Sequence, residues 1–347
     1  MGEHGSFGRS REWRANARFS EGLKTLSEAR TVHSAEKTRA ALSLFQQATA
    51  LDPTFGRAHF YVGIASELHG QHRHAITAFE SLLQDKRAPR LELLYNLALS
   101  WFHLYDAEAY EKALRYVDTL IRESEQGERT VPDAEDDDRK RTASAVLLAK
   151  TLRAQVLSHR AIREDDSTAE ITWRSAKADA NAVLRDLEKH SVNVEPEIAE
   201  DVRWGAWNAL GHIDHMAGRR HKNLELLTGA EAAFNRALEF SPHNFRVLSN
   251  LAANHYFISE MQTDPQDRRR KSKEVFAEVL SLRPNYDYAH YRLAEIALSE
   301  NKFDEALEQL QFAKDHPSEM TPENLERLHA RILSLRPNRA IRLGGDE

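Results

Sequence analysis

Histidine is the residue type in this sequence with the most evident capacity for chemistry. The chain holds 17 histidines, and His212 and His215 flank Asp214 in the segment His-Ile-Asp-His. A spacing of three places both imidazoles on one face of a helix, where they could bind a metal ion together with a ligand from a neighbouring helix. The spacing implies no third ligand. We therefore expect these histidines to line a groove, and we predict no metal site and no cofactor.

A second group of histidines lies in one short segment. His69, His72 and His74 follow one another closely, with Gly70 between the first two. We interpret the segment as a polar turn, with metal binding a remote alternative.

The sequence carries none of the common catalytic signatures. It contains no cysteine, which excludes disulfides, thiolate nucleophiles and cysteine-ligated zinc or iron–sulfur sites. Neither a glycine-rich phosphate-binding loop nor a Gly-x-Ser-x-Gly nucleophile motif is present. We predict that the protein is not an enzyme and has no catalytic residues.

The composition indicates long helices. The 347 residues include 14 glycines and 10 prolines, few for a chain of this length, so the backbone cannot turn often. There is no apolar run long enough to span a membrane, and the first residues lack the apolar core of a secretory signal. These observations favour a cytoplasmic protein that does not contact membranes. The net charge of −6 does not favour nucleic acid as an overall partner.

A pattern of small, aromatic and proline residues recurs along the chain. Ala41, Phe45 and Ala48 are followed by Pro53. Spacings of three and four form one stripe of a helix, and the proline ends that helix. Upstream of each copy lies a second helical pattern with a small residue at a fixed position, so each repeat is predicted to be an antiparallel helical hairpin. The further copies begin at Ala75, Ala230, Ser272 and Ala306.

In this pattern the sequence resembles the tetratricopeptide repeat family. The match is good over residues 56–88, 91–124, 200–242, 245–284 and 287–318, and fair over 19–53. The resemblance implies an all-α fold: a right-handed superhelical solenoid of about seven antiparallel helical hairpins. Thr321-Pro322-Glu323 is a helix start, so 322–336 is predicted to be a C-terminal capping helix.

The copies divide the chain into blocks. The predicted order is an extension, poorly ordered or helical (1–18), a first block of three repeats (19–124), an acidic loop with a divergent helical hairpin (125–199), a second block of three repeats (200–318), and the capping helix with a flexible tail (319–347).

The resemblance implies that the first helices of the hairpins line a concave groove for a peptide or a partner helix. An asparagine in this groove often hydrogen-bonds the peptide backbone, and the matching positions hold Asn96 and Asn250, with Asn208 one place early. Family members that bind a C-terminal carboxylate carry Lys or Arg beside this asparagine. In this sequence only Arg292 lies near the matching positions as a cation. The remaining predicted groove residues are Tyr95, His103, His212, His215, Tyr256 and Tyr291.

Two repeats are longer than the family pattern, and their extra residues are basic. We expect these insertions to lie in the turns between the two helices of their hairpins. Equivalent turns of successive repeats share one edge of a solenoid, so the insertions would form a basic edge. Its residues are Arg219, Arg220 and Lys222 in 219–222, and Arg268, Arg269, Arg270 and Lys271 in 268–273.

These features lead to three functional hypotheses. The favoured one is an adaptor or scaffold that binds another protein, through a peptide segment or helix, in the groove. The alternatives are a regulatory receptor whose curvature responds to a peptide or ligand, and binding of nucleic acid or a phosphate ligand along the basic edge, which is possible but not favoured. Neither self-association nor its absence is predicted.

Overall fold

The computed structural model describes residues 4–31, 34–130, 136–189 and 193–336. Over these residues the chain forms fifteen α-helices, one short 3-10 helix at Ala161–Arg163 and no strand. The helices are α1 (His4–Thr31), α2 (Ala35–Leu51), α3 (Gly56–Leu68), α4 (His72–Glu80), α5 (Arg90–Phe102), α6 (Ala107–Thr130), α7 (Asp136–Arg160), α8 (Asp166–Glu188), α9 (Pro196–His221), α10 (Leu224–Phe240), α11 (Phe245–Ser259), α12 (Gln266–Leu282), α13 (Asp287–Ser299), α14 (Phe303–Asp315) and α15 (Pro322–Leu335).

The chain divides into two compact units, Met1–Val202 and Arg203–Glu347. The boundary falls inside α9, which runs through it without a break. In the first unit the helices pair as α1 with α2, α3 with α4, α5 with α6 and α7 with α8, and the second helix of each hairpin contacts the first helix of the next. In the second unit α11 pairs with α12 and α13 with α14, and α15 packs on α14. The predicted all-α architecture of helical hairpins is confirmed.

Close packing of an aromatic ring on a small residue holds the hairpins together. Phe45, Phe79, Phe234 and Phe276 are completely buried. A Cβ atom added at Gly211 would lie 2.6 Å from the ring of Phe234, and one added at Gly22 would lie 2.6 Å from the ring of Phe45. The small residue of the repeat thus lets the ring approach the partner helix to a distance that a larger side chain would prevent.

The helix ends follow from residue type. Asparagine caps α10 and α11, where the side chain of Asn223 accepts a hydrogen bond from the Leu226 amide and that of Asn244 from the amides of Arg246 and Val247. Such caps satisfy amides that have no partner within the helix. Among the described residues no proline interrupts a helix: Pro196 and Pro322 begin one, and the other six lie between helices. Pro132 and Pro337 lie outside the described residues.

A buried aspartate fixes the segment that leads into the predicted capping helix, α15. Asp287, at the start of α13, is completely buried. Its carboxylate accepts hydrogen bonds from the Ser318 amide at 2.7 Å, the Ser318 hydroxyl at 2.6 Å, and the amides of Glu319 and Met320 at 2.9 and 2.8 Å. One carboxylate therefore satisfies three consecutive backbone donors that a helix or sheet would otherwise satisfy.

The structure differs from the sequence analysis in two places. Helix α6 occupies 125–130, at the start of the predicted acidic loop, because charged residues such as Glu and Arg form helices well; residues 131–135 lie outside the described part. The basic residues of the insertions, apart from Lys222, also lie in helices and not in turns. Arg219 and Arg220 lie in the last turn of α9, where cations are favoured by the helix dipole, and 268–273 lie within α12.

Within the described residues, none of the helices combines the length and the apolar character needed to cross a lipid bilayer.

Candidate functional site

The side chain of Phe257 on α11 lies between two arginines of neighbouring helices. The guanidinium carbon of Arg219, on α9, is 3.7 Å from the centroid of the ring, and that of Arg292, on α13, is 5.3 Å from it. The ring of His215 meets Phe257 edge-on at a centroid distance of 5.4 Å. Cations over an aromatic face are attracted by its electron density. Phe257 thus joins the first helices of three successive hairpins.

The two arginines differ in how their charge is balanced. Arg292 donates to Glu295 at 2.6 Å, and its guanidinium also lies 5.0 Å from the centroid of the Tyr288 ring. Burial disfavours the charged form of Arg292, but Tyr288 and Glu295 more than offset this and raise its pKa. Within the described part of the chain, Arg219 forms no ion pair, and it donates a hydrogen bond to the sulfur of Met216 at 3.7 Å. Burial, with the nearby charge of Arg292, lowers the pKa of Arg219 to about 10.

Two of the predicted groove asparagines contact each other. The side-chain amide of Asn250 on α11 donates to the side-chain oxygen of Asn208 on α9, at 3.0 Å. Both residues are half-buried. Each amide group can donate and accept at once, so the pair presents polar atoms beside the arginines. Tyr291 on α13 is half-buried, whereas Tyr256 on α11 is buried, and burial raises the pKa of Tyr256 to about 12.

The histidines of α9 belong to the interior. His212 and His215 are both buried. His215 hydrogen-bonds through Nδ1 to the side-chain oxygen of Asn254 at 2.9 Å, and the Asn254 amide donates to the carbonyl of Leu227. Burial lowers the pKa of His212 to about 4 and that of His215 well below 6.5. Both imidazoles are therefore neutral at pH 7 and packed in the interior.

Together these contacts define one surface, which we term the first-helix face. It is formed by α9, α11 and α13 and contains Asn208, Arg219, Asn250, Phe257, Tyr291 and Arg292. Its side chains contact one another across successive first helices of the second unit.

Comparison with known proteins identifies repeats in two segments of the chain. A sequence model described as tetratricopeptide repeat matches residues 26–90 and 266–318. These two segments of the chain are thus similar to tetratricopeptide repeats. A search of curated proteins returns no match.

A similar solved structure supports the fold. A tetratricopeptide repeat protein from Parabacteroides merdae is 13% identical, with a TM-score of 0.50, and the match covers 91% of this chain and 99% of that one. A thermophilic tetratricopeptide repeat protein of Thermus thermophilus is 15% identical, with a TM-score of 0.28, and covers 90% of this chain and 100% of its own.

Three predicted groove residues lie in the first unit. Tyr95 and Asn96 are half-buried on α5; burial, with Asp201 and Glu67, raises the pKa of Tyr95 to about 12. The amide of Asn96 donates to the carbonyl of Glu92 in its own helix, at 2.7 Å. His103 caps the end of α5.

His103 also contacts a residue that the sequence analysis missed. Its Nδ1 hydrogen-bonds Glu67 of α3, which also accepts from the Ser100 hydroxyl at 2.6 Å. Burial alone would raise the pKa of Glu67, but the hydrogen bonds from His103 and His72 lower it below the ordinary range. The sequence signal that could have indicated the contact of Glu67 with Ser100 is their spacing of 33 residues, which is about one repeat length.

The basic residues of the two long repeats lie close to acidic side chains. Arg268 donates to both carboxylate oxygens of Glu231 at 2.9 Å. Further ion pairs join Arg269 with Glu260 at 2.8 Å, Arg270 and Lys271 with Asp267 at 2.6 and 3.0 Å, and Lys273 with Glu300 at 2.7 Å. Arg220 is half-buried, and Lys222 is exposed in the turn after α9. Much of the positive charge predicted for a basic edge is thus balanced locally.

Proposed function

We propose that this tetratricopeptide repeat protein is a non-catalytic interaction scaffold, and that its first-helix face binds an acidic segment of a partner protein. The observation that carries the proposal is Arg219, a cation on this face with no ion-pair partner in the described part of the chain. Glu295 pairs with Arg292, so the two arginines have a net positive charge that a carboxylate of the partner would balance.

The surroundings of Arg219 favour a peptide over a small ion. Tyrosine and phenylalanine provide contact area at small entropic cost, and Phe257, Tyr288 and Tyr291 lie around Arg292 at 5.0 to 5.6 Å. The Asn208–Asn250 pair supplies donors and acceptors that match a peptide unit. The family's use of first helices for peptide binding supports the same surface.

The two alternatives have less support. The ion pairs of 268–273 with acidic residues reduce the charge available to a phosphate backbone, and nucleic-acid affinity depends on that charge. No described contact singles out the α7–α8 hairpin as a hinge for a ligand-responsive receptor. A cytoplasmic location stays a prediction.

The proposal is tested by selecting a random library of short displayed peptides on the purified full chain. We expect enrichment of peptides rich in Asp and Glu, and calorimetry with one selected peptide then measures the dissociation constant. Arg219→Gln should weaken binding by about 30-fold or more, because loss of one partner of a desolvated charge pair costs about 2–5 kcal/mol. Asn250→Ala should weaken it by about 10-fold, since hydrogen bonds contribute about 1 kcal/mol or somewhat more.

Arg270→Gln is the matched control, because Arg270 lies on α12 and its side chain is 65% exposed. It should leave the dissociation constant unchanged. Selected peptides without acidic enrichment, or equal effects of Arg219→Gln and Arg270→Gln, would rule out the first-helix face as the acidic-peptide site.

A further inference from the structure

Three side chains of the first unit bring metal-ligating atoms together outside the first-helix face. The ligand atoms of Glu67, His72 and His103 all lie within 4.8 Å of one another. His72 Nδ1 is 3.0 Å from Glu67 Oε2, and His103 Nδ1 contacts Glu67 Oε1. The two imidazole rings lie with their centroids 5.0 Å apart. One carboxylate thus stands between two imidazole nitrogens that point at it.

The fold fixes each of the three residues independently. Glu67 is in the last turn of α3, His72 is the first residue of α4, and His103 caps the end of α5. The turn between α3 and α4 is short and includes Gly70, at φ 78°, a conformation that glycine adopts without strain. The three residues therefore join both helices of the second hairpin to the first helix of the third.

We propose that Glu67, His72 and His103 form a binding site for a divalent transition-metal ion, of which Zn²⁺ fits the donor set best. Two imidazole nitrogens and one carboxylate oxygen are a ligand set typical of protein zinc sites, with the fourth position left to water. Ligands at about 2.0–2.1 Å from a tetrahedral ion lie about 3.4 Å from one another. The separation of His72 Nδ1 from Glu67 Oε2 is 3.0 Å, and all three ligand atoms lie within 4.8 Å of one another, a range that includes this value.

The surroundings suit such an ion. The Ser100 hydroxyl donates to Glu67 Oε2 at 2.6 Å, and a donor to a ligating carboxylate orients that ligand. The side chain of Glu67 is 8% exposed, while those of His72 and His103 are 22% and 16% exposed. The site is therefore largely shielded but has a path from solvent, which a metal ion needs in order to enter.

The experiment is a calorimetric titration of the tag-free full chain with ZnCl₂ at neutral pH, repeated with variants. We expect a site that binds one ion and that is weakened by more than about 100-fold in His72→Gln and in His103→Gln, since even outer partners of a ligand contribute about 10- to 100-fold. Ser100→Ala should weaken the site by about 10-fold. Circular dichroism of each variant establishes that it is folded.

His74→Gln is the matched control, because His74 is an exposed residue of the same helix; it should bind as the parent does. A second measurement uses Co²⁺, whose visible absorption should show the intense bands of tetrahedral coordination in the parent and lose them in Glu67→Gln. Absence of binding, binding that survives both histidine substitutions, or an equal loss in His74→Gln would each overturn the proposal. The first-helix face is not involved, so peptide binding and zinc binding can fail separately.

Discussion

Replacement of Gly211 by alanine sets two effects of known size against each other. Alanine is the better helix former by about 0.8–1 kcal/mol in a helix interior. A Cβ at residue 211 would, however, lie 2.6 Å from Cδ1 and Cε1 of Phe234, and this ring is completely buried, so it cannot move without displacing its neighbours. Overpacking of this kind costs about 1–3 kcal/mol. We expect Gly211→Ala to lower the free energy of unfolding by about 1 kcal/mol.

The assay is urea unfolding followed by circular dichroism, with an unchanged dependence on urea as the condition for comparison. Gly229→Ala is the control: Gly229 is exposed on α10, and the nearest atom to an added Cβ is Asp214 Oδ2 at 3.6 Å. This variant should gain about 0.5–1 kcal/mol. In a Phe234→Leu background, where the ring is absent, Gly211→Ala should become neutral or stabilising. A stabilising Gly211→Ala in the parent chain would refute the packing explanation.

Two further predictions concern buried polar groups of the second unit. Burial lowers the pKa of His212 from 6.5 to about 4. Between these pH values the unfolded chain takes up a proton that the folded chain does not, so the free energy of unfolding should fall as the pH drops. At about 1.4 kcal/mol per pKa unit, the decrease is about 3 kcal/mol. His212→Gln should flatten this part of a pH series of urea midpoints, and an unchanged slope would contradict the assignment. Asp287→Ala leaves the amides of Ser318, Glu319 and Met320 without their acceptor and should cost about 3 kcal/mol or more. The control is Asp304→Ala, which removes an exposed aspartate paired with Arg336 and should cost about 0.5 kcal/mol or less in the same urea series. Equal losses of unfolding free energy in Asp287→Ala and Asp304→Ala would show that the hydrogen bonds of Asp287 do not stabilise the fold.

The hairpins could be predicted from the sequence because their determinants are local. Ala41, Phe45 and Ala48 are all completely buried, as their spacing on one helical stripe requires. The prediction that the insertions lie in turns was wrong because local ion pairs favour helix there. Ion pairs of Asp267 with Arg270 and Lys271 stabilise the first turns of α12. A run of basic residues does not by itself reveal these pairs.

The candidate sites were harder to predict because they depend on contacts between hairpins. The repeat pattern identified Asn208 and Asn250 as candidate groove residues, but not that they hydrogen-bond each other. The sequence analysis assigned Arg219 to the basic edge. Its contact with Phe257 could not be predicted without knowing that α9 continues to His221. Glu67 meets Ser100 and His103 only because the third hairpin stacks on the second.

The position of the unit boundary inside α9 has a practical consequence for anyone who divides the protein. A cut between Val202 and Arg203 would leave seven helical residues, from Pro196 to Val202, on the first fragment. Isolated helices of fewer than about 12 residues are marginal in water, so that end would unravel while the second fragment lost its first two turns. Proteases that need an extended strand of substrate would likewise find none at this boundary. Fragments intended to fold separately should be divided before Pro196, so that α9 begins the second fragment intact.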